Sequence, residues 1–353
     1  MKQLGFFSLS EHFLRLSDAG DPLEVLCRCV DFEIFRGTLV KGLKYSDGSL
    51  GGRPPYDPVL MFKVLILAAQ NNVSDEKMEF LIRDRLSWMR FLGLEPGDRM
   101  PDANTIRVFR ERLGQRKTLK KLFKHFDQAL SCAGYAPRGG QIVDATLVSA
   151  PRQRMKKEEQ QAVKDGHSAD DIWPDAPHKA AQKDVDARWI MKLKKGENAQ
   201  QDIAIPYYGY KSHIAIDRRY RFIRTCVVTN AARYDGHILP EVITRDNTSS
   251  EVWADSAYRS QDNEAFLKEN SLLSRIHRKK PRGKPMPAHI SRGNGTRSRA
   301  RSCVEHVFAE QKHRMALSIR TIGIKRAEAK ITLANIAYNM KRFVFLERKR
   351  AIG

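Results

Sequence analysis

Three charged residues share one helical face near the end of this sequence. In 297-RSRARSCVEHVFAEQKHRM-315, Arg301, Glu305 and Lys312 stand at i, i+4 and i+11. A helix of about 3.6 residues per turn aims all three the same way. Val304, Val307, Phe308 and Ala309 supply an apolar remainder that can pack on a core. Two earlier stretches each place one aspartate among β-formers: Asp144 in 141-QIVDATLVSA-150 and Asp255 in 250-SEVWADSAYRS-260. A carboxylate in an apolar strand costs free energy unless it binds a cation or hydrogen bonds. The alternative for Asp144 alone is the solvent side of its strand. Together, Asp144, Asp255 and Glu305 form a candidate three-carboxylate centre. Oxygen donors select hard ions such as Mg²⁺, with Mn²⁺ possible, and such centres hold two ions roughly 3.5–4 Å apart. Arg301 and Lys312 would then hold phosphates. Glu310, five residues after Glu305, turns away from the shared face.

The chain's charge suits that chemistry. Lys and Arg number 63 against 41 Asp and Glu, a net charge of +22 in 353 residues. Such an excess favours a polyanionic partner, with nucleic acid ahead of a membrane surface or a mere solubility charge. Met1 to Leu16 shows no secretory pattern, and the apolar run Val59 to Ala69 is interrupted by Lys63 and too short to span a bilayer. Five cysteines are scattered, and Cys27-Arg28-Cys29 lacks zinc-ligand spacing, so a reduced, cytoplasmic setting is expected. No G-x-x-x-x-G-K-[ST] loop points to nucleotide hydrolysis.

The elements that must position these residues follow from periodicity and punctuation. One helix is predicted over 22–43 and a second over 57–71, where Asp57 caps and Pro58 opens. A third is predicted over 74–93, capped by Ser74 and stopped by Gly93, and a fourth over 101–115, capped by Asp102 or Asn104. These fit a helix-turn-helix module in which Asn104, Arg107, Arg110 and Arg112 could meet DNA; a plain helical bundle with a solvated basic face fits equally. A linking helix over 116–134 leads to the strand of Asp144. Residues 150–200 are highly polar and read as an insertion or flexible excursion, with His167 and His178 in solvent and order resuming near Asp184 and Asp186. The run 207–231 reads as a hairpin turning at Asp217-Arg218-Arg219, with Lys211 and His213 on one side and His213 as a structural histidine. Tyr234-Asp235-Gly236-His237 is a turn. Asp255 ends a short strand before a helix at 261–270, the place where α/β sheets present ligands. A basic Pro/Gly-rich loop is predicted from 275 to 301, and its Arg278, Lys279, Lys280, Arg282 and Lys284 suit phosphate contacts. A last amphipathic helix, 327–350, could cover the sheet through Leu333, Ile336, Ala337, Met340, Phe343 and Val344.

With these blocks in order, the chain resembles the DDE transposases of bacterial insertion sequences, in particular the insertion-sequence-5 group. The resemblance rests on 52-GRPPYDPVLMFKVLIL-67, 101-PDANTIRVFRERL-113, 143-VDATLV-148, 184-DVDARW-189, 208-YGYKSHIAID-217, 253-WADSAYRS-260 and 301-RSCVEHVFAEQK-312. Arg301, Glu305 and Lys312 keep the spacing of that family's Tyr-Arg-Glu-Lys signature, while Ser298 stands at its tyrosine. The resemblance implies an α/β fold: a ribonuclease-H-like mixed sheet flanked by helices, after an all-α N-terminal domain. That domain, 1–136, is read as DNA-binding. Residues 137–353 are read as the catalytic domain, with its insertion at about 150–200. The resemblance also implies that Asp144, Asp255 and Glu305 bind metal. It implies binding to the element's inverted repeats and to target DNA, action as a homodimer or larger assembly, and work at the nucleoid. A non-catalytic repressor or degenerate copy, and a nuclease that cuts without joining, are the alternatives.

Overall fold

The computed structural model describes residues 8–45, 54–195, 202–281 and 283–352. The chain divides into two compact units, Met1–Ala129 with Thr332–Gly353, and Leu130–Ile331.

The first unit is helical. Its elements are α1 (Ser8–Asp18), α2 (Pro22–Cys29), α3 (Arg36–Leu43), α4 (Pro58–Asn71), α5 (Asp75–Asp84), α6 (Leu86–Leu92), α7 (Ala103–Gln115) and most of α8 (Thr118–Cys132). The expected caps form. Asp57 accepts from the Val59 and Leu60 amides, Ser74 from Lys77 and Asp102 from Thr105. Two expected helices are each broken in two. Asp31 turns its carboxylate onto the Glu33 amide and starts a 3₁₀ turn, Phe32–Phe35, between α2 and α3. Arg85 takes an extended conformation between α5 and α6. Each break lets both halves bury their apolar faces. Phe35 and Phe62 meet at 4.9 Å between ring centroids, and Phe32 meets Phe91 at 5.5 Å. Lys63 lies within this core segment, and its ammonium reaches the Phe91 carbonyl at 3.0 Å. The final helix, α15 (Ile324–Ile352), belongs to this unit from Thr332 onward. There Phe343 packs edge-on against Phe126, at 6.5 Å between centroids, so the apolar stripe expected to cover the sheet clusters with the helices.

The second unit is built on a six-stranded sheet: β1 (Gln141–Ser149), β2 (Arg188–Lys195), β3 (Asp202–Asp217), β4 (Ile223–Asn230), β5 (Glu251–Trp253) and β6 (Leu273–Ser274). The long β3 is shared. Its first half pairs with β2, and its second half lies between β1 and β4, all antiparallel. On the other side of β1, β5 and β6 run parallel. Antiparallel β4-β3-β1 followed by parallel β5-β6 is the ribonuclease-H-like mixed sheet expected from the sequence. Val143, Ala215 and Val252 share a core with Ile238, Leu239 and Val242, the last two in the short α12 (Leu239–Val242). Side chains alternate along a strand, so Asp144 points to the other face. That face receives α14 (Ala288–Ala309), which packs on β1 and β5.

Two polar stretches are more ordered than their composition suggests. Residues 150–187 hold α9 (Lys157–Asp165), α10 (Ala169–Ile172) and α11 (Pro177–Gln182) around buried Val163, Trp173 and Ala180. The Trp173 indole donates to Glu159 at 2.9 Å. His167 and His178 are exposed, as expected. The presumed loop up to Arg301 is helical from Ala288. Gly293 and Gly295 weaken a helix, by about 1 kcal/mol each, but burial of Val304, Val307 and Phe308 offsets them.

Candidate active site

Asp144 becomes accessible because β5 is short. The register pairs Ile142 with Trp253, where β5 ends, and Asp144 lies two residues further on, past its parallel neighbour. Asp255 follows the end of β5 and caps the 3₁₀ turn Ser256–Tyr258, accepting from the Ala257 amide at 2.8 Å. The two aspartates therefore flank one crevice at the strand ends.

The Asp144 side chain is 14 % exposed. One carboxylate oxygen accepts from the Ala145 amide at 2.8 Å, and the other from Arg301 Nη1 at 3.1 Å. Burial raises its pKa to about 6, helped by the charges of Asp255 and Asp235; Arg301 and the Ala145 amide oppose the rise. Arg301 also reaches Glu305, Nη2 to Oε1 at 3.5 Å. The Glu305 side chain is 62 % exposed and projects outward one turn along α14. Lys312 follows where the helix loosens into a π-helical segment, Glu310–Arg314, a distortion that recurs at functional sites. Desolvation and Lys192 lower the pKa of its ammonium, while Asp144 acts in the opposite sense. Glu310 pairs instead with Arg314 at 3.4 Å. Ala309, expected among the packing residues, is exposed.

Three further residues enter the crevice that the sequence reading did not place there. Asp235, in the turn after β4, makes an ion pair with the buried Lys211 at 2.8 Å. Tyr258 is 1 % exposed, and its hydroxyl has no hydrogen-bond partner among the described residues. Burial and the charges of Asp144, Asp235 and Asp255 all push its pKa up. His277 approaches Ser298, Nε2 to Oγ at 3.4 Å, so the residue at the family's tyrosine position meets an imidazole. Burial, Arg301 and Arg297 lower the His277 pKa, against the pull of Asp255. Asp235 carried a faint sequence signal: an acidic turn at the edge of a hairpin. Tyr258 stood inside the resemblance block 253-WADSAYRS-260 without being singled out, and His277 carried no signal.

Asp184, from one of the resemblance blocks, has an architectural job. It is buried and accepts from the Tyr210 hydroxyl at 2.7 Å and from the Asp186, Ala187 and Gly323 amides. On the opposite sheet face, Lys211 and His213 lie on one side of β3, as expected. His213 is buried, with Nε2 at 2.9 Å from the Thr229 hydroxyl and Nδ1 without a partner among the described residues.

A divalent ion suits this donor set in kind. All the converging acids are oxygen donors, and the raised pKa of Asp144, caused first by burial and then by the nearby Asp255 and Asp235, marks a carboxylate whose ionised form a bound cation would stabilise. Among the described residues, however, no three acidic, histidine or cysteine side chains already converge into a metal-binding group. The fold brings Asp144 and Asp255 together, and Glu305 stands apart.

The remaining phosphate candidates lie on basic surface. Arg278, Lys279, Lys280 and Lys284 are exposed, and Arg282 lies outside the described residues. In the helical unit Arg107 is half-exposed, near Glu111 and bonded to Asn104. Arg110 is engaged by Asp75 in a two-pronged ion pair of 2.6 and 2.7 Å.

Comparison with known families decides the identity. Residues 11–112 match a family described as a transposase domain. Residues 135–340, more than half the chain, match the family described as a transposase DDE domain. The chain belongs to the DDE transposases. It is a metal-dependent enzyme of phosphoryl transfer on DNA, and the family matches are consistent with the insertion-sequence-5 group. No solved structure matches it. Among the described residues of this transposase, no helix is long and apolar enough to cross a membrane.

Proposed function

We propose that this transposase recognises the terminal inverted repeats of an insertion sequence, cuts DNA at the element's ends and joins the freed 3′-hydroxyl to target DNA. The proposed centre is Asp144, Asp255 and Glu305, holding two Mg²⁺ ions or Mn²⁺ in their place. The observation that carries this reading is Asp144 itself: a buried carboxylate with its pKa raised to about 6, beside Asp255 at the strand ends and tied by Arg301 to the helix of Glu305.

Bound divalent ions would lower the pKa of the attacking water or 3′-hydroxyl and offset charge on the leaving oxygen. Arg301 fixes the Asp144 carboxylate and turns a second N–H toward Glu305. Asp255 stays oriented because the Ala257 amide holds one of its oxygens. Lys312 and Arg301 bear on the phosphate that reacts, and Arg278, Lys279, Lys280, Arg282 and Lys284 on flanking backbone. The helical unit, with Arg107 on its surface, is assigned to the inverted repeats, and a homodimer or larger assembly to the pairing of two ends. The enzyme would work at the nucleoid, in the cytoplasm.

The test uses purified protein, labelled DNA carrying the source element's ends, a target plasmid and Mg²⁺, with Glu305→Gln run beside the wild type. Cut and joined products from the wild type alone support the full reading. Cutting without joining leaves a nuclease. Binding without products, in Mn²⁺ as well, leaves a repressor or degenerate copy. Products from Glu305→Gln at the wild-type rate remove Glu305 from the centre.

A further inference from the structure

One turn before Arg301 on the same helix, a second cationic site is built. An open pocket of about 580 Å³ is lined by Arg259, Glu264, Lys268, Arg278 and Arg297, among others: four cations and one carboxylate. Three separate segments deliver its arginines: Arg259 and Arg297 are held through their side chains, Arg278 through its backbone. Arg259 donates to the Ile276 carbonyl at 3.2 Å and lies 3.4 Å from Glu264. Asn294 clamps the backbone of residue 278, accepting from its N–H and donating to its carbonyl, both at 3.0 Å. The same Asn294 oxygen accepts from Arg297 Nη1 at 3.2 Å. Arg297 Nε is buried and has no hydrogen-bond partner among the described residues. Arg275 adds to the local charge, but Glu251 already engages it at 3.0 Å.

Convergence of like charges is unfavourable unless an anion joins them. Burial and the neighbouring Arg278, Arg259 and Arg275 all lower the pKa of Arg297, against Glu264 alone. Guanidinium groups suit phosphate oxygens in particular, because their planar N–H groups can engage two oxygens at once. Arg297 and Arg301 are four residues apart, so they share a helix face with a rise of about 6 Å between them. Arg301 touches Asp144, so a strand whose reacting phosphate lies at Asp144 would bring its next phosphates along this face.

We propose that Arg259, Arg278 and Arg297 form a pocket for one backbone phosphate of the DNA strand flanking the reacting phosphodiester, fixing how that strand enters the site. This rests on the transposase centre proposed above and adds a specific grip on the substrate.

The experiment measures binding in metal-free buffer, where no cleavage interferes. It uses full-length wild type and Arg297→Gln, the duplex carrying the element's terminal repeat, and versions with single phosphates near the cut replaced by neutral methylphosphonates. The expected slope of log affinity against log salt is shallower by about one in Arg297→Gln. At one phosphate beside the cut, the methylphosphonate weakens the wild type about tenfold and leaves Arg297→Gln unaffected, while Arg297→Lys behaves in between. Thermal melting of Arg297→Gln should match or exceed that of the wild type, since a repulsion is relieved.

An unchanged salt slope, or additive losses at every phosphate, would overturn the pocket. So would a difference between the proteins that inorganic phosphate abolishes without any methylphosphonate coupling, which marks a site for free anion. These results stand apart from the catalytic centre: Glu305→Gln that still cleaves removes Glu305 from that centre, whatever the coupling shows. A wild type that fails to bind the duplex overturns both.

Discussion

Arg301 Nη1 lies 3.1 Å from Asp144 Oδ2, a contact between residues 157 positions apart. It joins α14 to the middle of β1 and brings the helix of Glu305 to the crevice at the end of β5. The guanidinium favours the ionised form of a largely buried carboxylate, yet burial and the neighbouring Asp255 and Asp235 still hold its pKa at about 6, so a bound cation would stabilise it further.

Replacing Asp144 by Asn keeps its shape and removes that charge. Cleavage of labelled element ends should fall by more than the roughly 100-fold typical of losing an outer-shell metal partner. Affinity for the same DNA in metal-free buffer should stay within about twofold, because the phosphate-binding cations remain. Parallel loss of binding and cleavage would mean that Asp144 holds the fold and not the chemistry.

Two arginines of α7 should behave in opposite ways. Arg110 is tied to Asp75 by two short bonds in a partly buried setting, so Arg110→Ala should cost about 2–3 kcal/mol in denaturant unfolding. Arg107 is half-exposed, so Arg107→Ala should leave stability within about 0.5 kcal/mol. If α7 meets DNA, it should also lower the salt slope of binding by about one. A large stability loss at Arg107, or none at Arg110, contradicts this division.

Acid should weaken the sheet through His213. Burial lowers its pKa to about 4; Lys211 acts the same way and Asp235 against it. Below pH 6.5 the unfolded chain takes a proton that the folded protein refuses until about pH 4. Stability therefore falls as pH drops across that window, by at most about 3 kcal/mol from this group. His213→Gln, which can still reach Thr229, should flatten the dependence. Chemical denaturation at stepped pH measures it, and identical acid slopes in both proteins would exclude His213 as the source.

Gly209 marks where β3 passes from its β2 partner to β1. Its φ is +148°, and an added Cβ would overlap the Val148 carbonyl oxygen and lie 2.8 Å from the Ala150 nitrogen. Both neighbours are backbone and cannot swing aside. Gly209→Ala should cost at least about 2 kcal/mol, read as a lower melting temperature or as loss of folded protein. An unchanged melt would show that β1 and β3 can separate locally at no cost.

Features set within a few residues were legible in the sequence. Asp57 before Pro58, and Ser74 and Asp102 before their helices, form the caps expected, because a cap needs only amides two or three positions away. The apolar runs around Asp144 and Asp255 and the turn after Asp217 announce their strands, because β-formers alternate with turn residues over short spans. The charged face of Arg301 and Glu305 follows from helical periodicity alone. Other features depended on what each segment meets. The break at Arg85, the three helices around Trp173 and the helix through Gly293 and Gly295 form because distant apolar surface is there to be covered, and no local pattern reports it. The same holds for the crevice. That Asp235 and Tyr258 gather beside Asp144 and His277 beside Asp255 and Arg301, that Arg110 is engaged by Asp75, and that Arg259, Arg278 and Arg297 converge on one pocket are consequences of strand order and helix docking. The sequence determined which chemical groups this transposase carries and the local elements that bear them. Only the tertiary structure decided which groups meet, because burial and charge act through distances in space and not along the chain.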